Sequence, residues 1–416
     1  MLTFMSVALL IYGSMHLYAF GKVWMAFPHS FGLALALMLA GIVLTFSPLL
    51  VWYMERQSWH GAAVVTAWTS YTWMGFLFLF FCISLVFDLG HAFATLLHFK
   101  WPLNDAMAFR TVGLLALAAL GYGLIEARQI QVEEIKITTP KLASGRVTIA
   151  QISDLHLGMM SGDAFLERVI AKLREIKPDI VVATGDIVDG QGDNLDALAR
   201  HFQSYTPPLG AYAVIGNHEN YAGLDNSLRF LRSAGFTVLR GESAAAGGII
   251  LLGVDDPSVQ TPDQQARLST RKALASVTKD DFIVLLKHQP VVDSDTPGCL
   301  ENRSERLESK AHGTEPPRHI NEIGGERVPR NAAIEPRSRF SGCPTFDLQL
   351  SGHIHGGQIF PFVYLTRLVY GVHTGLTKLA DGRLLYVNRG AGTWGPPIRL
   401  FAPPEITLIT IESENR

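Results

Sequence analysis

Asp, Asn and His side chains are concentrated in five short segments, and each segment follows an apolar run. In chain order the segments are 154–156 (Asp-Leu-His), 185–189 (Gly-Asp-Ile-Val-Asp), 216–219 (Gly-Asn-His-Glu), 287–290 (Lys-His-Gln-Pro) and 352–358 (Gly-His-Ile-His-Gly-Gly-Gln). Carboxylate, amide and imidazole ligands suit borderline or hard divalent ions such as manganese, iron and zinc. The chain has three cysteines, too few for a cysteine-based zinc site. These residue types therefore predict a divalent-metal centre with oxygen and nitrogen ligands.

The spacing within the segments indicates how ions could be shared. Asp154 and His156 are two residues apart, as are His353 and His355, so on an extended chain each pair points to one side and can bind one ion. Asp186 has two carboxylate oxygens and can bridge two ions about 3.5–4 Å apart. Adjacent glycines let the backbone turn sharply and approach the metals closely.

The elements that position these segments are predicted to form an α/β layered domain. From about residue 147, short β-rich runs alternate with amphipathic stretches, and eight runs read as strands: 147–152, 180–183, 212–215, 249–254, 282–286, 346–350, 384–387 and 406–411. Between the first two, apolar residues recur at helical spacing after Ser161, the predicted N-cap: Phe165, Val169, Leu173 and Ile176. Ligands bind at the carboxyl ends of strands in such sheets, so the five segments should converge there.

The ordered set of five segments resembles the calcineurin-like metallophosphoesterase superfamily. The forms Ile-Ser-Asp-Leu-His at 152–156 and Leu-Ser-Gly-His-Ile-His-Gly-Gly-Gln at 350–358 are similar to a bacterial branch with membrane-attached members. The resemblance covers about residues 145–412 and implies a sandwich of two mixed β-sheets flanked by helices. It is specific for the superfamily and says little about the substrate.

The resemblance also implies a role for each site residue. Two ions would be bound, one by Asp154, His156, Asp186 and His355, and the other by Asp186, Asn217, His288 and His353. His218 matches a non-ligand histidine that steadies the phosphoryl oxygens or protonates the leaving group, and Asp189 matches the carboxylate that orients it. One departure is an insertion between His288 and the 352–358 segment, which bears on substrate access and leaves the metal ligands intact.

The first third of the chain is predicted to lie in a membrane. Only 17% of all residues are charged, and the apolar excess is concentrated before about residue 127. Four apolar stretches, at about 2–20, 31–53, 62–87 and 108–125, approach the roughly 20 residues that a helix needs to cross about 30 Å of hydrocarbon. We therefore predict a transmembrane region of four helices over 1–127, a linker and first strand over 128–145, and a metallophosphoesterase domain over 146–412.

The segment 296–345 differs from the rest of that domain. It mixes Arg and Glu densely, contains several Pro and Gly residues, and has no sustained period, which predicts a mobile insertion with His312 and His319 exposed to solvent. Cys299 and Cys343 bracket it and could form a disulfide in an oxidising compartment, which favours the extracytoplasmic side of the cell membrane. The basic residues around the spans do not decide the orientation.

These observations together predict a membrane-anchored enzyme that hydrolyses phosphate esters with metal-activated water. Because the spans would hold the site near the bilayer, we favour a phosphodiesterase or pyrophosphate-type hydrolase acting on a lipid or envelope-linked substrate. The net charge of −2 argues against nucleic acid as a partner, and no protein partner is predicted. Two alternatives are a non-catalytic membrane protein whose phosphoesterase-like domain binds metal or a phosphorylated ligand, and a transporter, for which the spans contain no convincing ion path.

Overall fold

The computed structural model describes residues 2–189, 195–259, 277–278, 280–292, 331–333 and 346–414. The chain divides into two compact units. Unit 1 contains Met1–Arg128 and Thr393–Phe401, and unit 2 contains Gln129–Gly392 and Ala402–Arg416. Apart from a short strand at 331–333, the insertion 296–345 lies outside the described residues. Its mobility, the exposure of its histidines and the Cys299–Cys343 disulfide therefore stay predictions.

Unit 1 is built from four long helices. They are α1 (Leu2–Ala26), α2 (Phe31–Arg56), α3 (His60–Leu96) and α4 (Asp105–Glu126). Side chains cap two of them: Ser30 accepts the backbone N–H of Leu33 at the start of α2, and Asn104 accepts that of Met107 at the start of α4. Each cap satisfies an N–H group that has no partner within the helix.

Three of these helices, not four, are candidate membrane spans in the described part of the chain. α2, α3 and α4 are long and apolar enough to cross a bilayer, and α1 is not among them. The prediction of four spans is corrected accordingly, because α1 carries polar side chains such as His16, Tyr18 and Lys22. These side chains have partners on α3: the Trp73 indole N–H donates to His16 Nε2 at 2.9 Å, and both Tyr18 and Lys22 bind Asp88.

A segment from late in the chain completes unit 1. Ile398 and Arg399 are fully buried there. A Cβ on Gly75 of α3 would lie 3.0 Å from Ile398 Cδ1, and the backbone N–H of Arg399 donates to the carbonyl of Gly123 in α4 at 3.0 Å. Segment Thr393–Phe401 therefore packs closely at glycines of two candidate spans, which the sequence did not predict.

Unit 2 contains two mixed β-sheets, as the resemblance implied. In the described residues one sheet has the strand order β5-β4-β3-β2-β13-β1-β9 and the other β11-β12-β10-β8-β7-β6. The strands are β1 (Gln131–Thr139), β2 (Arg146–Ile152), β3 (Ile180–Thr184), β4 (Ala211–Val214), β5 (Phe236–Val238), β6 (Glu242–Ala246), β7 (Ile249–Gly253), β8 (Ile283–Leu286), β9 (Asn331–Ala333), β10 (Leu348–Ser351), β11 (Gly375–Lys378), β12 (Leu384–Val387) and β13 (Glu405–Ser413). Each of the eight runs predicted as strands overlaps one of these.

Alternating side chains of the first sheet build two hydrophobic cores. Val147 and Ile149 of β2 belong to the core shared with the second sheet, whereas Ala150 and Ile152 belong to the core under the helices. Three helices contribute to the core under the helices: α5 (Asp163–Ile176), α6 (Leu195–Gln203) and α7 (Asn217–Ser233). In α5 the N-cap is Gly162 and not Ser161 as predicted.

A further short helix, α8 (Val363–Tyr370), follows the 352–358 segment.

Candidate metal centre

The five polar segments follow five strands directly. Asp154 comes after β2, Asp186 after β3, Asn217 after β4, His288 after β8 and His353 after β10. β2, β3 and β4 are parallel in the first sheet, and β8 and β10 are parallel in the second. Parallel strands end at the same edge of a sheet, so each sheet brings its own segments together.

One cluster of potential ligands combines residues from both sheets. Ligand atoms of Asp154, His156 and His355 all lie within 4.8 Å of one another. The Nε2 atoms of His156 and His355 are 3.0 Å apart, and Asp154 Oδ1 is 3.4 Å from His355 Nε2. All three residues are buried.

A second cluster contains Asp186, His288 and His353, again with ligand atoms within 4.8 Å. His288 Nε2 lies 3.0 Å from Asp186 Oδ2, 3.0 Å from His353 Nδ1 and 3.1 Å from Asn217 Oδ1. The predicted ligand Asn217 therefore also faces this cluster.

Hydrogen bonds on the outer sides of two histidines decide which nitrogen faces the cluster. His288 Nδ1 donates to the Thr184 carbonyl at 2.8 Å, and His353 Nε2 is 2.6 Å from the Tyr370 hydroxyl. A carbonyl can only accept, so Nδ1 of His288 carries a proton, and Nε2 is the nitrogen that can bind an ion when the ring is neutral. Such outer partners commonly fix the orientation of metal-binding histidines.

The donor sets fit divalent ions. Two nitrogens at about 2.1 Å from one ion and at right angles to each other would be about 3.0 Å apart. That separation is observed for His156 with His355 and for His288 with His353. Imidazole and carboxylate donors without thiolates suit manganese, iron or zinc. The residues present therefore fit two neighbouring divalent ions.

Five of the predicted ligands have a left-handed backbone, which is uncommon for residues other than glycine. The φ angles are 52° at Asp154, 48° at His156, 53° at Asp186, 73° at His353 and 49° at His355. The extended backbone predicted for the pairs Asp154/His156 and His353/His355 is therefore wrong. The chain turns sharply after each strand, and it is these turns that aim the side chains into the site.

Glycine is required where two of these turns approach each other. A Cβ on Gly216 would lie 2.2 Å from Asp186 Oδ1, and a Cβ on Gly352 would lie 2.0 Å from Ser153 Oγ and 2.2 Å from Asp154 Oδ2. Any larger residue would displace a predicted ligand at either position.

His218 and Asp189 lie beside the first cluster. Asp189 Oδ1 is 2.9 Å from His218 Nδ1, and Asp189 Oδ2 is 3.3 Å from His156 Nδ1. The carboxylate therefore holds His218 through Nδ1. Burial lowers the pKa of His218, but the hydrogen bond and charge of Asp189 outweigh it and raise the pKa to about 9.

The charges within the second cluster are strongly coupled. Burial raises the pKa of Asp186, but the charge and hydrogen bond of His288 outweigh burial and hold this pKa below its usual range. Burial lowers the pKa of His288, whereas Asp186 raises it to about 10. For His353, burial and then the charge of His288 lower the pKa to about 4. His288 is therefore protonated near neutral pH, and an ion that binds its Nε2 would displace that proton.

Glu219 binds the backbone of two segments that carry site residues, and sequence reasoning assigned no role to it. Its fully buried carboxylate accepts the backbone N–H groups of four residues, at 2.6–3.0 Å: Asp186, Ile187, Val188 and Gly216. It thereby joins the turn after β3 to the start of α7. A Glu three residues after a helix N-cap was the available signal. For Tyr370, beside His353, the sequence contains no local signal.

All nine predicted site residues lie in the described part of the chain and converge on one region. Seven were predicted as metal ligands: Asp154, His156, Asp186, Asn217, His288, His353 and His355. The other two, His218 and Asp189, adjoin them. Their individual roles stay predictions.

Comparison with known families supports the same interpretation. A sequence model of the family described as calcineurin-like phosphoesterase matches residues 147–357. A metallophosphoesterase of Aquifex aeolicus is 35% identical over 297 residues, which cover 71% of this chain and 96% of the relative. A transmembrane protein with metallophosphoesterase domain from Danio rerio is 28% identical over 355 residues, which cover 81% of this chain and 70% of the relative.

Among solved structures, a dimetal phosphatase from Danio rerio is similar with a TM-score of 0.33 and 15% identity, covering 59% of this chain and 88% of that one.

Proposed function

This chain belongs to the calcineurin-like phosphoesterase family, and from that premise we propose that it is a membrane-anchored phosphoesterase with two divalent metal ions. The convergence of two ligand clusters next to His218 is the observation that best supports this proposal. When bound, the ions would stabilise the charge of the phosphoryl group and make a bound water acidic enough to attack it near neutral pH.

The residues around the clusters then have separate tasks. The seven predicted ligands would hold the ions, and the chemistry of the donors suits manganese, iron or zinc. His218, held at Nδ1 by Asp189, directs Nε2 at a phosphoryl oxygen or at the leaving group. Its position lets it donate a hydrogen bond and then a proton as the ester bond breaks.

We further propose a phosphodiesterase or pyrophosphate-type hydrolase whose substrate is a lipid or an envelope-linked phosphate. Support comes from the three candidate spans in the same chain, which would keep the enzyme at a membrane. Comparing the hydrolysis of phospholipid-type substrates with that of soluble nucleotides, each with and without detergent, tests this preference. Much faster turnover of nucleotides under both conditions would rule it out.

Hydrolysis of bis-p-nitrophenyl phosphate and p-nitrophenyl phosphate by the detergent-solubilised full chain tests the reaction class. We expect activity that requires added manganese, disappears after chelation and is lost in Asp186→Asn. The ratio of the two rates separates a diesterase from a monoesterase. An exposed carboxylate on α5 supplies the matched control, Asp163→Asn, which should retain activity and metal content.

His218→Ala distinguishes an enzyme from a non-catalytic metal-binding protein. We expect turnover to fall at least a hundredfold, as is typical for loss of an acid–base group, while the metal content measured by mass spectrometry is unchanged. If folded, metal-loaded protein hydrolyses neither reporter nor any lipid phosphate, the binding-only alternative is favoured.

We place the phosphoesterase unit on the extracytoplasmic side, with only the Cys299 and Cys343 pair as support. A disulfide between them persists where the compartment is oxidising. Mass spectrometry of the native protein tests this, and two free thiols would remove the support.

A further inference from the structure

Helix α8 exposes an apolar face beside the candidate metal centre. Leu368 and Val369 are 82% and 67% exposed, and Tyr364 and Leu365 are exposed as well. At 100° per residue these four side chains, here called the α8 patch, lie within about 140° of the helix surface. No residue of α8 is buried. Soluble helices place such an apolar face against a core, so its exposure requires a reason.

Helix α8 contacts the 352–358 segment at both of its ends. A Cβ on Gly357 would lie 2.3 Å from the backbone nitrogen of Val363, so the start of α8 packs directly on the 352–358 segment. At the other end the Tyr370 hydroxyl is 2.6 Å from His353 Nε2, and Tyr370 packs beside a buried cluster that includes Ile354. The α8 patch is therefore presented by an anchored helix and not by a frayed end.

The two faces of α8 point in different directions. Tyr370, which contacts His353, lies on the side of the helix away from the α8 patch, at about 200° from Leu368 by helical spacing. One face of this helix therefore belongs to the metal centre, and the other presents apolar and aromatic side chains to the surroundings.

We propose that the α8 patch binds the interfacial layer of a lipid bilayer. The chain contains three candidate membrane spans, and it passes between unit 1 and unit 2 at three points: 128–129, 392–393 and 401–402. Unit 2 is thus tethered to a membrane unit by each of these connections, which gives the patch a high effective concentration of lipid.

The composition around the patch fits lipid better than it fits other occupants. The Arg367 guanidinium is 5.9 Å from the Tyr364 ring, and a cation beside aromatic and aliphatic side chains is typical of interfacial helices. Phe360 and Phe362, just before α8, are also exposed. The insertion 296–345 is dense in Arg and Glu, so its composition does not suit it to cover an apolar face.

Bilayer contact at α8 would bring phosphate groups at the lipid surface to the metal centre, because Tyr370 joins the same helix to His353. This second step rests on the proposed function and specifies its substrate class as phosphate esters with lipid tails. The membrane contact itself does not depend on catalysis.

Fluorescence quenching in nanodiscs tests the contact in the full chain. A cysteine-free background (Cys82→Ser, Cys299→Ser and Cys343→Ser) would carry Leu368→Cys labelled with an environment-sensitive fluorophore. The matched control is Glu175→Cys on the exposed side of α5. In discs of phosphatidylcholine and phosphatidylglycerol, we expect brominated lipid to quench the label at 368 severalfold more than the label at 175, and iodide to show the reverse order.

Two results would overturn the proposal. Equal accessibility of both labels to iodide, with no lipid quenching at 368, would show that α8 stays in water. Shielding of the 368 label from both quenchers would show that protein covers it. Hydrolysis of bis-p-nitrophenyl phosphate verifies that each labelled protein is folded, and a thermal melt does so if the chain is inactive.

A charge on the α8 patch tests the substrate step. Leu368→Asp should slow hydrolysis of a long-chain lipid phosphodiester in nanodiscs severalfold and leave the rate on soluble bis-p-nitrophenyl phosphate unchanged. Equal rates of wild type and variant on the lipid substrate would contradict the substrate step. If no substrate is hydrolysed, the proposed function fails, and the quenching result still decides the membrane contact.

Discussion

At the scale of single residues, the metal centre depends on side chains that share one hydrogen-bonded frame. The left-handed backbone at Asp154 and His156 costs on the order of 1 kcal/mol or more per residue. Their N–H groups donate to the carbonyls of Gly185 and Asp186, which holds the two turns together. These hydrogen bonds therefore hold Asp154, His156 and Asp186 in position without help from an ion.

Tyr370→Phe removes the hydroxyl that contacts His353 Nε2. Without this partner the imidazole is less well oriented, so we expect affinity for the metal to fall roughly tenfold, as for other outer partners of metal ligands. Titration of chelator-treated protein with manganese measures the change.

The control for this variant lies on the same helix. Tyr364→Phe removes an exposed hydroxyl on the face away from His353 and should leave metal affinity unchanged. Equal affinities for the two variants would show that Tyr370 does not orient the histidine.

At the scale of elements, glycines decide how closely two turns or two helices approach. The turn after β10 meets the turn after β2 at Gly352, and α4 meets the segment Thr393–Phe401 at Gly123. The neighbours of Gly352 are short polar side chains, and those of Gly123 are the Arg399 carbonyl and the Cβ of Ile398, so little can move aside at either glycine. Each close contact can be tested by substituting its glycine, with a glycine that has no near neighbour as the control.

Gly352→Ala would place a Cβ against Ser153 Oγ and Asp154 Oδ2. We expect loss of bound metal and destabilisation of about 1–3 kcal/mol from the forced displacement. Metal content and thermal unfolding in detergent measure both effects. In Gly162→Ala the new methyl group has no atom within 4 Å, so a similar loss there would contradict the explanation.

In Gly123→Val the new Cβ would lie 3.0 Å from the Arg399 carbonyl oxygen and 3.1 Å from Ile398 Cβ. The two methyl groups of valine would add further atoms to this close contact. We expect the melting temperature of the full chain in detergent to fall by several degrees, as overpacking of a buried contact predicts. Gly121→Val on the same helix meets nothing within 4 Å and should change it little. Indistinguishable melting curves would indicate that the segment is not packed there in solution.

At the scale of the whole molecule, a unit that contains the three candidate spans and a phosphoesterase unit are interleaved in one chain. Unit 1 takes its last residues from 393–401, inside the sequence of unit 2. The chain therefore leaves unit 1 after residue 128, returns to it at 393 and leaves it again after 401, so a cut at residue 128 would not separate the units cleanly.

The three candidate spans predict that the chain is attached to a membrane. Because each is an apolar helix of at least 22 residues, we expect the full chain to stay in the membrane pellet after washing with alkaline carbonate. A peripheral membrane protein in the same preparation serves as the control and should move to the supernatant. Release of the chain together with that control would contradict spanning helices.

Much of this molecule could be predicted from local sequence. The five motifs, the eight strands and the apolar stretches are visible because hydrophobic period and turn residues are encoded by neighbours in the chain. The residue types of the motifs predicted divalent metals, and the resemblance of the ordered motifs to a known superfamily predicted a phosphoesterase. The predicted span at 2–20 was wrong, because α1 is not among the helices that are long and apolar enough to cross a membrane. The partners that its polar side chains have on α3 are not visible in the sequence.

Only the tertiary structure decided how those residues meet. His156 and His355 are 199 residues apart in the chain and 3.0 Å apart in space, and their left-handed backbone replaces the extended pairs that spacing suggested. The support by Glu219, the contact of Tyr370 with His353 and the exposed face of α8 have the same origin. They depend on which strand ends lie side by side, and that is set by packing of the whole chain and not by the period of any one segment.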